Sequence, residues 1–199
     1  MHRVMPVVEA LVAHGVPVSV DTSKPEVMRA VVDAGCAMVN DVNAFRAEGA
    51  IDAVAKADGV ELVVMHMKGT PRTMQEDPRY DDVVAEVGAF LVERALVLEK
   101  AGVSRKRIVI DPGFGFGKTV EHNKQLLHAL PQLAALGYPV LAGLSRKKML
   151  GDFTGRPANE RTAASVAAAL IAVQNGASLV RVHDVRETVD AINVWLALR

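Results

Sequence analysis

The sequence predicts an α/β fold of the (β/α)8 barrel type, with about six of the eight βα units inside its 199 residues. Two observations lead there. Short β-branched runs alternate with segments of helical period, which calls for a parallel sheet with right-handed crossovers. Most runs also end in residues suited to meeting a ligand: Asp21, Asn40, Met65 with His66, Asp111, Ser145, and Arg181 with His183. In a barrel the ligand meets the C-terminal ends of many strands, whereas a doubly wound sheet gathers its ligand groups at one switch point.

The elements follow in order. Residues 2–14, "HRVMPVVEALVAH", read as a helix leading into the strand run "VPVSVDT". The helix over Pro25–Ala34 comes next, with Pro25 suited to a first turn, where its missing N–H costs nothing. Then come "CAMVNDV" with a helix over Gly49–Ala57, and "ELVVMHM" with one over Asp81–Gly102. "RIVIDPG" precedes Val120–Gly137, "YPVLAGLS" precedes Asn159–Asn175, and "SLVRVHD" precedes Val185–Leu198. Gly102, Gly137 and Gly176 suit helix C-termini. Six runs are visible where closure needs eight, so about two βα units are expected upstream, and 1–199 is expected to form a single, N-terminally incomplete domain.

Composition narrows the function classes. Lys+Arg 23 balances Asp+Glu 23, so no overall field draws the chain to nucleic acid or to an anionic membrane. The longest apolar run, "AASVAAALIAV", is too short to span a bilayer, and Glu9 interrupts any secretory signal. The one cysteine, Cys36, suits a reducing compartment and reads as a small core residue. A cytoplasmic location is the expectation.

"IDPGFGFGKT", Ile110 to Thr119, resembles a phosphate-binding loop but fails its spacing. A P-loop needs a glycine five positions before its Gly-Lys pair, and that place holds Pro112, which has no N–H. The dinucleotide pattern fails too, because Lys118 stands where its third glycine belongs. Lys118 itself reads as a solvated or helix-start residue.

Strand alternation sorts the polar residues. Ser19 and Asp21 share one face of their run, with Val18 and Val20 opposite; Arg181 and His183 share a face, with Val180 and Val182 opposite. Two carboxylates (Asp21, Asp111), an amide (Asn40) and cations (Lys147, Arg181) can then converge on a flat, nitrogen-rich ring, the carboxylates accepting its N–H groups. Plainer readings stay open. Asp21 could cap the following helix, Asp111 could start a turn, and Arg181 could form a structural ion pair. His66, His122 and His128 have no ligand partners at metal spacing.

The motifs "SVDTSKPEV", "MVNDV", "VVMHMKGTPRTMQ", "IDPGFGFGKT", "GLSRKKMLG" and "VRVHDV" occur in that order, and together they closely resemble dihydropteroate synthases. That family joins p-aminobenzoate to 6-hydroxymethyl-7,8-dihydropterin pyrophosphate, releasing pyrophosphate. The resemblance implies that Asp21, Asn40 and Asp111 bind the pterin edge and that Met65 packs on the ring. Lys147 is implied to contact both pterin and aminobenzoate. Arg181 is implied to cover the pterin face, with Asp21, Lys147 and Arg181 as the catalytic set. Phe116, Lys147 and Lys148 are implied for aminobenzoate, and Arg181 with His183 for pyrophosphate. Lys148 departs from the serine common at its position. Mg²⁺ and a homodimer are also implied, the metal ligand belonging to a first loop whose motif does not occur here. Two other readings are a non-catalytic pterin-binding fragment and a pterin-barrel methyltransferase. The "SRKKMLG" and "VRVHD" pair argues against the methyltransferase, because a methyl carrier has no pyrophosphate to hold.

Overall fold

The structure, a computed structural model, describes residues 1–69, 74 and 76–199. Within the "VVMHMKGTPRTMQ" motif, positions 70–73 and 75 lie outside the described residues. The chain divides into two compact units, Met1–His66 with Ala89–Ile110, and Met67–Gly88 with Asp111–Arg199.

The first unit holds α1 (Met5–Ala13), β1 (Ser19–Asp21), α2 (Pro25–Asp33), β2 (Met38–Asp41), α3 (Ala50–Val54) and β3 (Glu61–Met65). It also takes most of α4 (Val83–Lys100) and of β4 (Ile108–Asp111). The strands form one sheet in the order β1-β2-β3-β4. The β1–β2 and β2–β3 pairs are parallel, as the repeated strand-then-helix pattern requires. Val39, Leu62, Val63, Val64, Ile108 and Ile110 are fully buried, so these strands read as nearly continuous apolar runs. The helices contribute Met28, Val31, Leu91 and Leu98 to the same core. Each such side chain stabilises the fold by about 1.5–3 kcal/mol.

The second unit holds α5 (Val120–His128), α6 (Leu130–Ala134), β5 (Leu141–Ala142), α7 (Lys148–Thr154), α8 (Thr162–Gln174), β6 (Leu179–Val180) and α9 (Val185–Ala197). β5 and β6 pair in parallel, Leu141 with Leu179 and Ala142 with Val180. The helix expected over Val120–Gly137 is two helices. Pro131 has no N–H and its ring crowds the carbonyl four residues back, that of Leu127. That carbonyl instead accepts the Asn175 side-chain amide at 2.9 Å.

Two smaller expectations also change. Asp21 does not cap α2, whose N-cap is Lys24 with no side-chain cap bond. The "VRVHD" run is strand only at its start, so Arg181 and His183 stand just beyond β6. Among the described residues, no helix is long and apolar enough to cross a membrane.

Candidate functional site

In the first unit the ligand-type residues are placed by register. Asp21 and Asn40 are direct partners across the β1–β2 ladder. Asn40 Nδ2 donates to Asp21 Oδ2 at 2.9 Å. Asn40 is buried while Asp21 is exposed, with Val18 and Val20 turned inward as alternation predicts. Met65, at the end of β3, is buried as well. Beneath them, Asp41 accepts the backbone N–H groups of Asn43 and Phe45, each at 2.8 Å. Those bonds hold Ala44 and Phe45 in left-handed conformations (φ 53° and 54°) that side chains rarely adopt. Arg94 ties the same turn by donating to the carbonyls of Ala44 and Phe45. Burial pushes the Asp41 carboxyl up from its ordinary value, while the two N–H donors oppose the shift.

The second unit carries a denser cluster built on loops. Asp111 ends β4 with its side chain 2% exposed. Oδ1 accepts the Gly113 N–H at 2.7 Å and Oδ2 accepts Arg181 Nη2 at 3.0 Å. Burial raises the pKa of this carboxyl; Arg181, the Gly113 N–H and Lys147 pull it back down. Asp111 is therefore the acidic partner that the "VRVHD" run did not disclose. Gly143 makes the approach possible, since a Cβ there would sit 3.1 Å from Arg181 Nη2.

Lys147 Nζ lies 4.2 Å from the centroid of the half-buried Phe116 ring, whereas Phe114 is the fully buried phenylalanine of the loop. Burial lowers the Lys147 pKa, with Asp111 opposing that shift and Arg181 adding to it. Lys147 is aimed by strain next door: Arg146 has φ 58°, held by its N–H to Ser165 Oγ at 2.9 Å and its ion pair with Asp184 at 2.7 Å. Arg161 donates to the carbonyls of Arg146 and Lys147. It passes so close to Gly151 that any side chain there would collide.

Ser145 and His183 form a third pair. The His183 backbone N–H donates to Ser145 Oγ at 3.2 Å, and the same oxygen lies 2.9 Å from His183 Nδ1. The hydroxyl bridges the backbone and the ring of one residue, which fixes where the imidazole points. Lys148 stands apart, exposed and 3.4 Å from Asp152.

Lys118 corrects a sequence expectation. It is 3% exposed rather than solvated, and its Nζ donates to the carbonyls of Gly113 and Phe116, each at 3.0 Å. Burial drives its pKa down to about 7, against the pull of Asp111. Sequence reasoning also missed Asn123, Arg161 and Ser165. Gly151 was the available signal for Arg161, because a glycine early in a helix needs a packing reason. A cavity of about 620 Å³ opens beside these groups, lined by Gly115, Lys118, Lys147, Lys148, Met149 and Asp152 among others. That is the size of a small-molecule site, and Lys118, Lys147 and Lys148 in its lining suit a ligand with a negatively charged end.

Comparison with known proteins decides which ligand chemistry this is. The family model described as "Pterin binding enzyme" matches residues 1–183. The dihydropteroate synthase of Escherichia coli K12 is 45% identical over 195 residues, 98% of this chain and 69% of that one. The chain belongs to the dihydropteroate synthase family of pterin-binding enzymes. The crystal structure of the Stenotrophomonas maltophilia dihydropteroate synthase, with imidazole in its active site, superposes with a TM-score of 0.95 at 58% identity, covering 99% of this chain and 75% of that one. The Xanthomonas albilineans enzyme in complex with 7,8-dihydropteroate gives a TM-score of 0.92 at 57% identity, covering 99% and 72%. The fold is thus the α/β barrel type of dihydropteroate synthases, and the chemistry is that of a folate-pathway transferase. Among the described residues, no group of three or more His, Cys, Asp or Glu side chains could hold a metal ion. The Mg²⁺ that the resemblance implies therefore finds no cage in them.

Proposed function

We propose that this chain binds 6-hydroxymethyl-7,8-dihydropterin pyrophosphate and p-aminobenzoate and joins them into 7,8-dihydropteroate. The supporting observation is the fully buried Asp111, hydrogen-bonded to Arg181, with Lys147 and Lys118 close by. Its oxygens accept the amino and ring N–H donors of the pterin edge, the same role assigned to Asp21 and Asn40. Met65 packs on the ring, and Arg181 covers its face as a planar cation.

Phe116, Lys147 and Lys148 are assigned to p-aminobenzoate. Of these, the exposed Lys148 offers the loosest geometry, a point charge on a flexible stem. In the reaction the aminobenzoate nitrogen forms a bond to the pterin methylene carbon while the C–O bond to pyrophosphate breaks. The electron pair leaves with the pyrophosphate oxygen, and the amine loses a proton. Arg181 and His183 meet the charge that develops on the leaving group, with the His183 ring held in place by Ser145. Asp21 stabilises positive charge at the methylene, and no side chain forms a covalent bond. The X. albilineans enzyme has been crystallised with 7,8-dihydropteroate and with 4-aminobenzoic acid, which supports the same substrates here. A cytoplasmic homodimer is the proposed working form.

Asp111→Asn tests the assignment. The amide keeps the shape but loses the charge, and pterin-analogue binding should weaken by about 1–3 kcal/mol in a calorimetric titration. Unchanged affinity removes Asp111 from the site.

A further inference from the structure

A lysine that is 3% exposed is costly, and Lys118 has no direct part in the reaction described above. Its place in the loop shows what it does. Gly113, Gly115 and Gly117 all have left-handed φ (67°, 80° and 64°), so this stretch is intrinsically loose and loses much freedom on ordering. The loop nonetheless has to present Asp111 and Phe116 in fixed positions. Two side chains tie it from inside. Asn123 accepts the Gly115 N–H at 2.7 Å and donates to the Thr119 carbonyl at 2.6 Å. Lys118 Nζ bridges the Gly113 and Phe116 carbonyls, the two ends of the turn closed by the Phe116 N–H to Gly113.

Asn123 shows that a neutral amide can tie backbone groups here, so tying alone does not call for a lysine. The difference is reach: one nitrogen on a long stem carries enough N–H groups to span two carbonyls from below. Of those two, Gly113 is also the residue whose N–H donates to Asp111, so the clamp reaches the carboxylate through the backbone. We propose that Lys118 is a positioning residue for pterin recognition: its side-chain nitrogen clamps the glycine loop and so fixes Asp111 for the ring's N–H donors. The inference rests on the assignment of Asp111 to the pterin edge.

The test measures 6-hydroxymethylpterin affinity and thermal stability of the wild type, Lys118→Met, Lys118→Gln and Asp111→Asn, between about pH 6 and pH 9. The Lys118 pKa is lowered to about 7 from 10.5. Between those values the unfolded chain binds the extra proton, so this group makes folding stability rise with pH. A neutral amine still donates to both carbonyls, so pterin affinity should change little over that range through this group. A lysine that only stabilised the fold would leave the affinity of the folded variant unchanged. At each pH the wild type should bind about tenfold more tightly than folded Lys118→Met. Both proteins see the same ligand titration, so their difference isolates Lys118. Lys118→Gln keeps two N–H donors on a shorter stem, and it should recover part of the affinity that Lys118→Met loses. If Lys118→Met does not fold, the comparison with Lys118→Gln decides. Wild-type affinity and pH profile in a folded Lys118 variant, with Asp111→Asn weakened, overturns this inference alone. Equal binding by wild type and Asp111→Asn overturns the underlying assignment instead.

Discussion

The Asp21–Asn40 pair and the Asp111 cluster, both proposed to bind the pterin edge, differ in construction. Asp21 and Asn40 are rungs of one parallel ladder, and register alone brings their side chains to 2.9 Å. Asp111, Lys147 and Arg181 sit at or beyond strand ends, and β5 and β6 are only two residues long. There the placing is done by left-handed glycines, by the strained Arg146, and by side chains such as Arg161 and Lys118 that bind backbone carbonyls. A ladder-placed site should tolerate change around it. A loop-placed site depends on residues that never touch the ligand.

The largest effect expected from that difference is at Gly117. Its φ is 64°, and a Cβ there would run into the Lys68 carbonyl, which is backbone and cannot swing aside. Gly117→Ala should cost about 3 kcal/mol or more in chemical denaturation. Gly59 in the first unit has φ 78° with open space around it, so Gly59→Ala should cost only about 1 kcal/mol. Equal losses at the two sites would mean that steric crowding does not set the loop apart.

A smaller effect separates the hydrogen-bonded pairs. Ser145→Ala frees the His183 ring to turn. Pyrophosphate protection against thermal unfolding should fall by about 1 kcal/mol while the variant's own melting temperature changes little. A double-mutant cycle on Asp21→Ala and Asn40→Ala should give a coupling of about 0.5–1.5 kcal/mol, read from unfolding free energies. Zero coupling there would show that register, not the hydrogen bond, does all of the positioning.

The smallest effect expected is at the Arg146–Asp184 pair. Arg146 holds the Asp184 carboxyl below its ordinary value, so its contribution is present above the unfolded carboxyl range and is lost as pH falls through the lowered pKa. Asp184→Asn should lower neutral-pH stability slightly, match the wild type below the lowered pKa, and so remove that acid-side slope. An unchanged slope would assign it to other carboxylates.

How far the sequence could be read follows the same division. Strand-then-helix periodicity identified the parallel architecture, and alternation put Val18 and Val20 inward with Ser19 and Asp21 outward. Both are local rules that a chain carries in its order of residues. The motif set around Asp21, Asn40, Asp111, Lys147 and Arg181 was visible for the same reason, each motif being a contiguous stretch. The break at Pro131 was also readable from proline's missing N–H, though the long apolar period hid it.

What sequence order could not supply was long-range pairing and burial. Lys118 looked like a solvated lysine because nothing beside it in the chain announces that two carbonyls and Asp111 surround it. Arg181 lies 70 positions from its carboxylate partner, and Arg161 reaches carbonyls 14 and 15 residues back. A side chain's charge state and direction depend on which distant groups share its space and on how much water they exclude. Residue order determined which elements form and which residues end them. Only tertiary packing decided that a lysine in a glycine loop would be buried with its nitrogen on two carbonyls of that loop.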